Sequence, residues 1–312
     1  TGVVSAVVTG DYIDIYVGGL VGRNGAVINN CYVTAMVSVE VIDDNGRVKV
    51  GGLAGYNVPD ISDCYTTGAV TSPKVSGGLV GDNYGGMISN CYTTGAVTGA
   101  LAGGLLGSNS GSSHTVSACH ATGNVTATDT GGGLIGFSLG DEIKDSFATG
   151  RVTAGYRGGG LVGSNGSTIN NCHAEGDVVI TGAAEESVFS GGGLVAENAQ
   201  YGNSNINDCY ATGTVTVTGS GSMLPAGGLV GWLGRGNGVT NSYAEGNVSA
   251  SGNGEIQVGG LVGPNNNGTI SKCYAAGDVS ASTTGGNTAY AGGLVAKNSN
   301  FGTVEYCYAM GV

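Results

Sequence analysis

The tripeptide Gly-Gly-Leu returns ten times along this chain, and that recurrence narrows the fold more than any other feature. Its leucines are Leu20, Leu53, Leu79, Leu105, Leu134, Leu161, Leu194, Leu229, Leu261 and Leu294, at spacings of 26 to 35 residues. A second marker, usually Asn or Asp, then Cys, then Tyr, follows each leucine by 11 to 15 residues. Asn30-Cys31-Tyr32, Asn90-Cys91-Tyr92 and Asp208-Cys209-Tyr210 are examples, and a stretch such as Thr94-Gly95-Ala96-Val97 comes next. A fixed period of this length is the mark of stacked structural repeats.

Each unit reads as short strands punctuated by Gly and Asn turns, with β-favouring pieces such as Leu79-Val80, Met87-Ile88 and Val215-Thr216-Val217. Glycine interrupts every candidate helix, and no window keeps a 3.6-residue period. One unit cannot bury its apolar face alone, whereas stacked units share a continuous core. Propeller blades of about 40–45 residues are longer than these units. The expected fold is therefore an all-β, β-helix-like solenoid of about ten rungs, a single array over residues 1–312, roughly 50 Å long.

Unit length varies on one side only. From the Cys position to the next leucine there are 14 or 15 residues in four units and 19 to 22 in five. In the first unit, Val37-Ser38-Val39-Glu40-Val41 and Val48-Lys49-Val50 flank Asp43-Asp44-Asn45-Gly46 and predict a hairpin. The extra length places the expected contact surface on one flank of the rod.

Glycine fills 64 positions while charged residues make up only 10% of the chain and hydrophobic ones 40%. Disorder goes with low hydrophobicity and high charge, so order is the better reading. Net charge is −12 and the ten Lys and Arg are scattered, which argues against nucleic acid and against a polybasic membrane surface. The absence of an 18-residue apolar run argues against membrane insertion.

Gly77 to Gly81 together with Asn90 to Val97 resemble the GLUG repeat. The Leu-x-Gly element holds in eight units, with Ala196 and Ala296 replacing the second glycine in the others. GLUG repeats occur in secreted and surface proteins of bacteria and archaea, including adhesins and regions beside some immunoglobulin A peptidases. The resemblance thus implies an exterior location and no single activity. A zinc peptidase would need an H-E-x-x-H helix, and His114, His120 and His173 lack that context. His120 and His173 occupy the Tyr slot after cysteine.

Cys31, Cys64, Cys91, Cys119, Cys172, Cys209, Cys273 and Cys307 share one register, with Ser146 and Ser242 in the other two units. No C-x-x-C pattern points to zinc. Two readings stand: small buried hydrophobes, or disulfides between adjacent rungs, whose spacing of roughly 4.8 Å suits a bridge. The serines cut the ladder into even blocks, giving pairs Cys31–Cys64, Cys91–Cys119, Cys172–Cys209 and Cys273–Cys307.

Sequons at Asn124, Asn165, Asn247 and Asn267 are glycosylation acceptors or plain turn asparagines. Seven of the fifteen tyrosines fall in one repeated slot, as a stacking ladder or a sugar-binding surface. Trp232 is solitary. Asp43-Asp44 and Glu185-Glu186 match no calcium loop. Neither Glu185-Glu186 nor Asp141-Glu142 brings a base or cluster for β-helix carbohydrate chemistry. No catalytic, cofactor or metal residue is assigned. The chain opens at Thr1-Gly2-Val3 without a leader pattern and stops inside a unit at Cys307 to Val312, as a self-pairing rod or a piece of a longer array would. The expected role is a non-catalytic extracellular structural protein of the cell surface, assembling head to tail with itself or with other surface proteins. The alternative is an adhesin or binding module for glycans or proteins.

Overall fold

Glycine-cornered strands of two to eight residues cannot pair with themselves, so each rung of this chain pairs with the rungs above and below. The computed structural model describes residues 2–9, 14–42, 46–111, 114–182, 187–198, 204–284 and 286–310. All regular elements among them are β-strands, arranged in one eighteen-stranded and three ten-stranded sheets. Neighbouring strands run parallel and in register, as in Val3↔Met36 at one end and Tyr274↔Tyr308 at the other. The chain is a parallel β-solenoid. No helix among the described residues is long and apolar enough to cross a membrane.

One rung shows the plan. A first arm (Val70–Thr71) and a second arm (Val75–Gly77) belong to the large sheet. Gly77-Gly78 turns the chain into the Leu strand, Val80–Asn83. The Ile strand, Ile88–Ser89, follows, and the Tyr strand, Tyr92–Thr93, closes the rung. Leu79, Ile88 and Cys91, with their equivalents, fill one core inside the Leu, Ile and Tyr strands. Each buried leucine there is worth about 1.5–3 kcal/mol. Val37, Val39, Val48 and Val50, with their equivalents, fill a second core between the two arms.

The two cores meet at a waist that only glycine fits. A Cβ on Gly77 would lie 1.9 Å from the Val80 carbonyl oxygen, and one on Gly78 would lie 2.0 Å from that of Gly104. The Tyr strand closes the waist from the other side, where the Thr66 hydroxyl donates to the Gly78 carbonyl at 2.7 Å and that of Thr93 to Gly104 at 2.7 Å. In later rungs Ala121, Ala148 and Ala174 take that position. The repeated Gly-Gly-Leu therefore marks a sharp bend at a waist.

The predicted hairpin does not form. Met36–Val41 pairs parallel with Val3–Val8, and Arg47–Gly51 pairs parallel with Asp14–Gly18. The alternating valines make these strands facing arms whose side chains meet in the second core, and both backbones are already paired to neighbouring rungs. Asp43, Asp44 and Asn45 lie outside the described residues, as do Glu185 and Glu186. The expected one-sided length variation is present: longer units extend the arms, as in Val215–Gly219 and Met223–Gly227. Val97–Gly103, in a short unit, runs through both arms as one strand. Where the arms are long, the buried Phe189 widens the second core, and a Cβ on Gly182 would strike its ring at 2.0 Å.

Candidate functional site

Most outward and inward positions repeat from rung to rung, and repetition shows which side chains serve the stack. The residue before each Cys or Ser of the ladder adopts a left-handed conformation in all ten units, from Asn30 (φ 53°) to Tyr306 (φ 53°). Asn and Asp tolerate that region best, which accounts for the Asn/Asp-Cys marker. Ala118, Lys272 and Tyr306 hold it without that advantage.

The cysteine that follows has a defined task. The Cys64 thiol donates to the Ser62 carbonyl at 3.0 Å and accepts the Cys31 backbone N–H at 3.3 Å. Ser146 does the same, donating to Lys144 at 2.7 Å and accepting from Cys119 at 3.1 Å. Ser242 repeats the arrangement with Thr240 and Cys209. All eight cysteines are free thiols and none of the four expected pairs is closed. Each sulfur has a hydrogen-bonding role that serine fills equally well. Burial pushes the thiol of Cys64 up to about 11 and that of Cys273 up to about 12. The adjacent sulfurs of Cys119 and Cys209, together with burial, push Cys91 and Cys172 higher still. Such thiols are poor nucleophiles.

An asparagine ladder lies under the Leu strands. Asn24 donates to Asn57 at 2.7 Å, Asn57 to Asn83 at 2.8 Å and Asn83 to Asn109 at 2.9 Å, all buried. Asn165 belongs to it: fully buried, its Nδ2 donates to the Ser167 carbonyl and to Asn198, each at 2.7 Å. That nitrogen is closed to a glycan in the folded chain. Asn124, Asn247 and Asn267 are exposed.

The aromatic slot forms an unbroken stack of ten rings from Tyr32 to Tyr308, with centroids 4.7 to 5.3 Å apart. His120 lies between Tyr92 and Phe147, and His173 between Phe147 and Tyr210. Burial lowers both histidines below their ordinary value, and for His173 the nearby Glu175 partly opposes it. Interplanar angles of 2 to 6° mean that ring faces cover one another, so a sugar approaching the ladder would meet edges. Glu142 near the irregular unit pairs with Lys144 at 2.8 Å and accepts from Asn170 at 2.8 Å. These partners hold its carboxyl below the usual range, unsuited to donating a proton. Among the described residues no three His, Cys, Asp or Glu side chains converge as a metal site.

Repetition lapses in two rows that face each other across the corner between the second arm and the Leu strand. On the Leu strands the row runs through Tyr56, Asp82, Ser108, Phe137, Ser164, Glu197, Trp232, Pro264 and Lys297. On the arms it includes Tyr16, Lys49, Leu101, Thr130, Arg157 and Gln257. Ion pairs cross the corner from Lys49 to Asp82 and from Arg157 to Glu197. At the first end the corner is filled by its own side chains: Lys49 sits over Tyr56 at 4.8 Å, and Tyr16 packs on Tyr56 at 5.2 Å. Further along it opens into two clefts on either side of Trp232. One, of about 170 Å³, is lined by Arg157, Val188, Ser190, Glu197 and Trp232. The other, of about 100 Å³, is lined by Met223, Trp232, Gln257, Pro264, Asn266, Lys297, Ser299 and Asn300.

Sequence reasoning passed over this corner. The signal was the single variable position between Gly and Asn in Leu-Val-Gly-x-Asn, where Asp82, Ser164, Pro264 and others alternate without pattern.

Residues 14–40, 74–98, 154–179, 188–216 and 254–280 match the family model of the GLUG motif. Comparison with curated proteins gave no match, and neither did comparison with solved structures.

Proposed function

From a chain that carries the GLUG motif in five of its rungs, we propose a non-catalytic, extracellular repeat rod that serves as a structural part of the cell surface. The observation that carries this reading is the continuity of the aromatic ladder from Tyr32 to Tyr308. A β-helix enzyme needs a place where repetition stops and acids or bases converge, whereas here the ten rings of the aromatic stack continue without a gap. Inert thiols, a buried amide ladder and paired carboxylates suit endurance outside the cell better than chemistry. The exterior setting itself comes from where GLUG repeats occur.

End-to-end association belongs to the same reading. The outermost described rungs leave one edge of every ladder unpaired, and Val3, Leu20 and Val304 are exposed there. A further rung, from another copy or from the same polypeptide, would extend each ladder. Immunogold electron microscopy of the native surface tests the proposal: label on ordered surface material is expected, and label confined to the cell interior would overturn it. Light scattering across a concentration series tests the association, which a monomer at every concentration would exclude.

The second reading, an adhesive module, is favoured by the non-repeating corner around Trp232, which opens into clefts.

A further inference from the structure

Trp232 stands apart from the ten rings of the aromatic stack, and, unlike Phe137 in the same row, it lines two clefts. Its row neighbours in adjacent rungs are Glu197 and Pro264, and among the described residues no ring stacks on it. The indole is half-buried between two clefts, and its faces are not spent on the stack.

Beside it lies a second, independent anomaly. Gln257 is 1% exposed and lines the smaller cleft, yet its Oε1 has no hydrogen-bond partner. Its Nε2 is committed to Glu255, which also takes the Lys297 ammonium at 3.3 Å. The orphan is therefore an acceptor, and a buried acceptor left unpaired is costly unless something donates to it.

We propose that the corner cleft around Trp232 and Gln257 binds a neutral glycan chain lying along the rod. Charge points to a neutral occupant, because the cations and anions here already neutralise each other, Arg157 with Glu197 and Lys297 with Glu255. Sugar hydroxyls donate as well as accept, so one satisfies Gln257 Oε1 while others meet Asn266 and Asn300 at the rim. The indole offers an apolar platform for a pyranose face, and the clefts on both sides of it suit a chain longer than one unit. A peptide fits less well: the strand bearing Trp232 has a paired strand on each side, so no open edge is available for backbone addition. The inference deepens the adhesive reading of this corner and is independent of whether the rod assembles.

Because Trp232 is the chain's only tryptophan, its emission reports on this site alone. The test titrates the chain with cellohexaose, xylohexaose, mannohexaose and chitohexaose, with isothermal calorimetry in parallel and a pool of uncharged hexapeptides as the competing class. At least one hexasaccharide should shift the emission saturably. Trp232→Ala and Gln257→Leu should each weaken its calorimetric binding about tenfold or more with melting temperature unchanged. If Trp232→Ala unfolds the rod, Trp232→Phe and Lys297→Gln replace it in the same comparison. No saturation with any hexasaccharide up to about 10 mM, binding indifferent to these substitutions, or binding of the peptide pool alone would each overturn the proposal. None of those results bears on surface location, which the microscopy reads separately.

Discussion

At the scale of the residue, the cysteines show how a position can be uniform without being reactive. The Cys209 thiol accepts the Cys172 backbone N–H at 3.4 Å and donates to the Asn207 carbonyl at 3.0 Å. Ser146 and Ser242 show that an oxygen meets the same demand. Cys209→Ser should therefore change stability by within about 1 kcal/mol. Cys209→Ala leaves a buried N–H without an acceptor and should cost about 1–3 kcal/mol. Urea unfolding at a common m-value measures both. Counting reactive thiols in the denatured, unreduced chain is the companion measurement: eight are expected, and four fewer or more would restore the disulfide reading. Equal losses for Ser and Ala would show that the sulfur's volume, not its hydrogen bonds, holds the slot.

At the scale of the element, the aromatic ladder carries a pH dependence whose sign is fixed by its two histidines. His120 and His173 are held below their ordinary value by burial. Above that ordinary value, near 6.5, both are neutral folded and unfolded and contribute no slope. As pH falls below it, the unfolded chain takes up protons that the stacked imidazoles resist, and stability declines until the lowered folded value is reached. The melting temperature should drop between pH 7.5 and 5.5, and His120→Tyr with His173→Tyr should remove part of that drop by extending the tyrosine stack. An equal drop in the double variant would assign the slope to carboxylates. This ladder was legible in the sequence because its residue type repeats. The facing arms were not, since alternating valines around Asn45-Gly46 give the same pattern in a hairpin and in two walls of a core. The asparagine ladder was hidden for a related reason: Asn83 or Asn165 reads locally as a turn residue, and its amide partners are about a rung away in sequence. Trp232 and Gln257 were hidden because a variable position in a repeat looks like noise until stacking places it beside its neighbours.

At the scale of the whole molecule, stability of a stacked array is a sum of rung terms and nearest-neighbour interfaces, so a rung should be removable if the register closes behind it. Val125 pairs with Val97 on one side and Val152 on the other. Deleting residues 125–151 joins Asn124 to Val152 and sets Val97 against Val152. The same cut brings Leu106 onto Val162, since Ile135 separates them now, and offers the Cys119 N–H the Cys172 sulfur in place of Ser146. No ladder loses its kind of partner. The shortened chain should keep its β-type circular dichroism, and small-angle scattering should give a rod shorter by roughly 4.8 Å. Deleting residues 126–151 instead retains one extra residue ahead of the first arm. A one-residue slip turns every side chain to the opposite face, which would put Val152 outward and Thr153 into the second core. That variant should lose cooperative melting. Similar behaviour of the two deletions would mean that the rungs hold together without in-register contact, and the ladders would then be a consequence of the fold, not its cause.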